Sequence, residues 1–263
     1  MHRHAGVSKI SAARVMPVAL LALAFVAWMQ PLSASPLADQ INAEIQRLFL
    51  QHHPAVVRVR ASDAMGVRLG SGFFVDAAGT VYTHSGVVLK AEDVSVNFGG
   101  RSLPAKVVAS DARSGIALLK TDCISPFIPL GNSDIVAVSH PVLAIGFPGE
   151  SEVSPTIGLV AGRDFHQNGK QFSTSHLRMN MAVQPGYGGA PVLNMDGQVI
   201  GIVAARIGEG GSCHILPIRA AEKIRSDINR FGELRPGWVG VEVEDAPDAV
   251  EGSIARVVDM KPE

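Results

Sequence analysis

The stretch Gln184-Pro-Gly-Tyr-Gly-Gly-Ala-Pro-Val-Leu-Asn-Met-Asp-Gly-Gln-Val-Ile-Gly-Ile202 decides the fold. It reads as a glycine-rich loop, a short apolar strand over 191–194, a turn at Asp196-Gly197 and a second apolar strand. Asp-Gly between two apolar runs is a strong hairpin signal, because the turn needs residues that accept positive φ. Gly186, Gly188 and Gly189 leave the preceding backbone free to bend sharply and to present N–H groups.

Working outward, short apolar runs at 55–59, 73–76, 80–83, 94–98, 105–109 and 116–120 are broken by Gly-, Asp- and Pro-containing turns. A second set follows at 141–145, 156–161, 177–181, 192–194, 199–204 and 213–216, joined to the first by a Pro- and Ser-containing crossover at 124–134. Closely spaced strands with no helices between them indicate antiparallel sandwiches or barrels. Two sets of six fit an all-β double barrel. Helical spacing of Leu37, Ile41, Ile45, Leu48 and Phe49 predicts an amphipathic lead-in helix over 36–50, ended by His52-His53-Pro54. Ala221, Ile224, Ile228 and Phe231 predict a C-terminal helix over 220–231, stopped by Gly232.

The 263 residues are 47% hydrophobic and 18% charged, enough apolar material for a sizeable core. A net charge of -1 with dispersed Lys and Arg gives no footprint for nucleic acid. His2, Arg3, His4, Lys9 and Arg14 precede an uncharged apolar run from Val15 to Met29, with Leu32-Ser33-Ala34 as a cleavage candidate. That is the layout of a secretory signal peptide over residues 1–34. An uncleaved membrane anchor is the alternative, and export follows either way. Cys123 and Cys213 lack metal-type spacing and read either as an export-compartment disulfide or as two small buried thiols. His140, His166, His176 and His214 are scattered with no paired-ligand spacing, so no metal or other cofactor is expected.

The opening stretch resembles the Gly-Asn-Ser-Gly-Gly-Pro-Leu-Val-Asn segment, followed by Gly-x-Val-Ile-Gly-Ile, of the HtrA/Deg family of trypsin-like serine proteases. Laid on it without a gap, Gly188 falls where the family has its nucleophilic serine. Gly70-Ser-Gly-Phe-Phe-Val-Asp-Ala-Ala-Gly-Thr-Val-Tyr-Thr83 resembles the family's first signature. There Asn-x-His-Val-Val is replaced by His84-Ser85-Gly86-Val87-Val88, with Gly86 at the histidine. Ser110-Asp-Ala-Arg-Ser-Gly-Ile-Ala-Leu-Leu-Lys120 resembles the aspartate block, with Gly115 at the aspartate. The blocks 142–148, 156–161 and 214–218 resemble other family strands, and Trp238-Val-Gly-Val241 resembles the opening of the PDZ domain that follows in the family.

The resemblance implies a chymotrypsin/trypsin-like double β-barrel over 35–232 and a truncated PDZ-like segment over 233–263, since a whole PDZ domain needs on the order of 80–100 residues. It also implies a degenerate triad. The mechanism needs a hydroxyl, a base and an orienting carboxylate, and glycine supplies none of them at positions 86, 115 and 188. His84, Ser85 and Tyr187 are the neighbouring substitutes. Alternation along an extended segment would displace the His84 ring by about 6–7 Å from the required place, leaving it a solvent-exposed turn residue. Tyr187 is expected to fill space left by the missing side chains. An oxyanion-hole-like backbone, the N–H groups of Gly186 and Gly188, either survives or collapses with its neighbours.

The function so implied is an exported, periplasmic, catalytically inactive HtrA-like pseudoprotease. It would bind unfolded or extended polypeptide segments, or regulate a related protease, within protein quality control. The alternatives are an active serine endopeptidase and a structural subunit of a mixed oligomer. Homo- or hetero-trimers with HtrA-like proteases are a further implication, with the 36–50 helix contributing. No nucleic-acid partner is implied, and a membrane is involved only if the N-terminal segment stays attached.

Overall fold

The computed structural model describes residues 36–167, 170–208, 211–232, 241–245 and 255–260. The expected signal peptide and residues 238–240 of the PDZ-like block lie outside the described residues. A first helix, α1 (Pro36–His52), runs into a 3₁₀ turn at His53–Ala55. The residues before Ile45 form one compact unit, and those from Ile45 onward form another. The second unit contains every described strand.

The first barrel closes from β1 (Val56–Asp63), β2 (Gly66–Phe74), β3 (Thr80–His84), β4 (Asp93–Phe98), β5 (Arg101–Asp111) and β6 (Ile116–Thr121), in the order β1-β2-β3-β6-β5-β4. A single helical turn, α2 (Ser85–Val88), follows β3. The second barrel closes from β7 (Pro141–Gly146), β8 (Ser154–Gln167), β9 (Lys170–Asn180), β10 (Pro191–Leu193), β11 (Val199–Ile207) and β12 (Ser212–Pro217), in the order β10-β11-β12-β9-β8-β7. A helix, α3 (Ile218–Phe231), and an antiparallel pair, β13 (Val241–Asp245) with β14 (Ala255–Met260), complete the described chain. Two six-stranded barrels with N- and C-terminal helices are the all-β architecture that the spacing of apolar runs predicts.

Alternation explains why the strands read as nearly continuous apolar runs. On β6, Ala117 and Leu119 enter the first barrel while Ile116 and Leu118 face outward into a second core. Phe74 and Phe73 divide in the same way on β2, as do Val81 and Tyr82 on β3. The outward core gathers Leu143, Ile145, Leu193 and Ile202 from the second barrel, Ile218, Ala221 and Ile224 from α3, and Leu48 from α1. Strands buried on both faces lose the apolar–polar alternation of a one-sided sheet. Tyr82 donates its hydroxyl proton to Ala221 O at 3.3 Å, and Arg225 pairs with Asp76 at 2.9 Å, fixing α3 to the first barrel. Gly232, at φ +72, caps α3 and donates to Ile228 O.

Cys123 and Cys213 are both free thiols. Cys213 lies in the lumen of the second barrel, where burial pushes its thiol up to about 12. Among the described residues, no helix is long and apolar enough to cross a membrane.

Candidate functional site in the inter-barrel cleft

Ser71 is the joint of the site. It is fully buried on β2, and four hydrogen bonds radiate from it. Its N–H donates to Gly188 O at 2.8 Å, and its hydroxyl donates to Gly186 O at 2.8 Å. Phe147 N–H donates to Ser71 Oγ at 2.9 Å, and Thr83 Oγ1 donates to Ser71 O at 2.7 Å. The glycine loop of the second barrel is thereby fastened to two strands of the first. Buried hydrogen-bonded networks of this kind fix one arrangement, because each unmade bond costs a desolvated polar group.

The loop glycines differ in what they permit. Gly186 (φ +96) and Gly189 (φ +91) have left-handed-side backbones and lie against other backbone atoms, so a side chain fits at neither. Among the described residues, a Cβ at Gly188 would meet only Val87 Cγ2, at an ordinary 4.0 Å. Glycine there is required neither by its conformation nor by crowding. Among the described residues, neither the Gly186 N–H nor the Gly188 N–H donates to a protein acceptor. The same loop lines a cavity of about 250 Å³ with Val183, Val203, Ala205 and Arg206.

Gly86 and Gly115 meet across the His84 ring. Gly86 N–H donates to His84 Nδ1 at 3.1 Å, and Ser85 N–H donates to Gly115 O at 2.8 Å. A Cβ at Gly86 would lie 3.0 Å from His84 Nδ1, and one at Gly115 would lie 3.3 Å from Nε2. The imidazole therefore fills the place that side chains at both positions would enter. This corrects the expectation of a solvent-exposed turn residue. The chain does not stay extended after His84: it caps α2, and the helical turn folds its ring back over Gly86. With Nδ1 accepting, the neutral ring carries its proton on Nε2.

Behind His84 stands a row that the sequence reading did not assemble. His176 and His214 pack edge to face at 5.8 Å, His214 Nε2 lies 3.0 Å from Asp164 Oδ2, and Arg178 lies 3.5 Å from Asp164 Oδ1. Burial first, and then the charge of His176, hold the His84 pKa below its ordinary value. His52 at the end of α1 is likewise depressed, by burial and then by Arg47.

The sign follows. For both histidines the unfolded chain takes up a proton before the folded one as pH falls, so their contribution to stability is lost below about pH 6.5. Asp63, held down by its hydrogen bond with Arg68, titrates below that window. The melting temperature is expected to fall between about pH 7 and pH 5, and His84→Asn should lessen the fall. Circular dichroism melts across that range check this; a flat profile contradicts the half-buried His84 ring and the buried His52.

The other substitutes sit elsewhere. Ser85 is buried, and among the described residues no hydrogen bond joins its hydroxyl to the His84 ring. Tyr187 corrects a second expectation. It fills none of the space beside Gly86, Gly115 or Gly188, but enters the second-barrel core. There its hydroxyl lies 2.9 Å from Ser154 Oγ and donates to Ser154 O at 2.8 Å. Burial raises its phenol pKa, so it stays protonated near neutrality. Among the described residues, no three His, Cys, Asp or Glu side chains gather as metal ligands.

The comparisons agree with this geometry. Residues 70–202, half of the chain, match the model of the trypsin-like peptidase domain. The chain is 32% identical over 183 residues to a probable periplasmic serine endoprotease, DegP-like, of Pseudomonas fulva (strain 12-X). It is 32% identical over 183 residues to the protein so named in Ectopseudomonas mendocina (strain ymp). Each match takes in 67% of this chain and 38% of the relative's length, so the chain spans well under half of these curated relatives. The solved structure of the HtrA-type protease AlgW with tripeptide superposes with a TM-score of 0.70 at 27% identity, covering 78% of this chain and 70% of that one. Fold and sequence therefore define a trypsin-like peptidase domain. Within that class, the chain belongs to the HtrA-like family.

Proposed function

We propose that this chain is a non-cleaving, HtrA-like binding module of the periplasm that holds extended segments of unfolded polypeptides in the inter-barrel cleft. Gly86, Gly115 and Gly188 take the family's histidine, aspartate and serine positions in this reading. The observation that carries it is Gly188, which bears no nucleophile although its backbone and surroundings would accept one. Binding groups are nevertheless present. Among the described residues, the Gly186 and Gly188 N–H groups have no acceptor, and beyond Val203 the β11 backbone has no strand partner on its β10 side. An extended peptide can add to such an edge by main-chain hydrogen bonds. The relatives named periplasmic endoproteases support the compartment, and the expected signal peptide is consistent with it.

The test is fluorescence anisotropy of labelled, unfolded casein titrated with the full chain, with the ligand afterwards run on a gel. Saturable binding with the casein recovered intact is expected. Absence of binding overturns the reading in favour of a structural subunit.

A further inference from the structure

We infer that the glycine loop selects the free C-terminal carboxylate of an extended polypeptide over an internal peptide carbonyl. This deepens the polypeptide-binding reading and rests on it.

An internal carbonyl offers the Gly186 and Gly188 N–H groups a single neutral oxygen. A terminal carboxylate offers two oxygens and a full charge, and charge-assisted hydrogen bonds are roughly twice as strong as neutral ones. What decides between them is room for the second oxygen. In a site with a nucleophile, the side chain after the loop's Gly-Tyr pair would stand in that room. Here the side-chain direction of Gly188 is open, with Val87 Cγ2 the nearest heavy atom at 4.0 Å from a built Cβ.

The loop that presents the two donors is not free to close over this opening. Two of its carbonyls, Gly186 O and Gly188 O, are taken up by Ser71. Charge favours the same ligand. Arg206 lines the cavity beside the two glycines, and no carboxylate is among the lining residues to repel an anion. Val183, Val203 and Ala205 give the cavity an apolar side, next to Gln184, that suits a small aliphatic final side chain.

The experiment uses the full chain and two labelled short peptides of identical sequence ending in valine, one a free acid and one a C-terminal amide, compared by anisotropy near neutral pH. The free acid is expected to bind at least about tenfold tighter. Arg206→Gln should shrink that preference. Gly188→Val, whose side chain enters the open space without a positive-φ penalty, should bring it to within about twofold, with circular dichroism confirming that both variants fold. Equal affinity for acid and amide overturns the carboxylate inference but leaves polypeptide binding standing. A preference that survives both substitutions puts the carboxylate elsewhere and overturns it too. If neither peptide binds while casein does, only this inference fails; if casein also fails to bind, the underlying reading falls with it.

Discussion

Gly189→Ala is expected to abolish stable folding or to lower the melting temperature by on the order of 10 °C or more. A Cβ at this position would lie well under 3.0 Å from Ser71 O and Thr83 Oγ1, and 2.8 Å from His84 N. The first two of those atoms are hydrogen-bonded to each other across β2 and β3, so neither can retreat without breaking that bond and displacing Ser71, which holds the loop. The backbone at φ +91 adds strain for any L side chain. Losses above about 4 kcal/mol come from this kind of backbone overpacking and consume much of a domain's total stability of about 5–15 kcal/mol. Gly188→Ala, one residue earlier, provides the contrast. Its Cβ meets nothing closer than 4.0 Å, and its melting temperature should stay within a few degrees of the parent. Thermal melts of the two variants check both, and a Gly189→Ala protein melting like its parent would contradict the described seating of the loop.

The second large effect is a gain. Gly86→His, Gly115→Asp and Gly188→Ser, combined with His84→Asn, should create casein hydrolysis at least roughly 10³-fold above the parent's background, since a full triad contributes about 10⁶ in turnover in a well-studied protease. The fourth substitution is needed because of where His84 sits. Its ring lies 3.0 Å from the new Cβ at 86 and 3.3 Å from the one at 115, in the volume both added side chains must use. Position 115 has φ +76, which aspartate tolerates better than most residues, although Leu216 Cδ1 at 3.1 Å must give slightly. The triple variant that keeps His84 is expected to lag the quadruple one by about tenfold or more, because a misplaced base costs orders of magnitude. Initial rates on labelled casein separate the three proteins. Equal activity of triple and quadruple variants would contradict the placement of the His84 ring.

Much of this fold was legible because its signals are local. The Asp196-Gly197 turn appears as a loop in which Asn194 Oδ1 accepts from Asp196 N–H and Gln198 N–H, with Gly197 at φ +77. The C-terminal helix was displaced by only two residues at its start. Strand ends were harder to read in the β8–β9 hairpin, where Arg163, Asp164 and the residues after them carry the strands well past the apolar runs at 156–161 and 177–181. Backbone pairing continues there without the alternation that sequence reading depends on.

The site divides in the same way. Gly186, Gly188 and Gly189 announce a sharply turning loop by composition. The latch holding that loop did not show, because Ser71 and Gly186 are 115 residues apart. The inward turn of His84 was missed because four residues of helix, too short for any periodicity, replace the extended segment that the motif suggested. The His176–His214–Asp164 row arises from register between β8, β9 and β12, where Asp164 faces His176 and His214 faces Arg178. None of those pairings has a local signature.

The most direct test of the central claim is turnover of labelled, unfolded casein by the unaltered full chain, followed to completion and repeated with a serine-directed inhibitor. The account predicts no fragments above the buffer control, with or without inhibitor. Fragments that persist through purification and disappear with the inhibitor would contradict it, and would turn attention to Ser85.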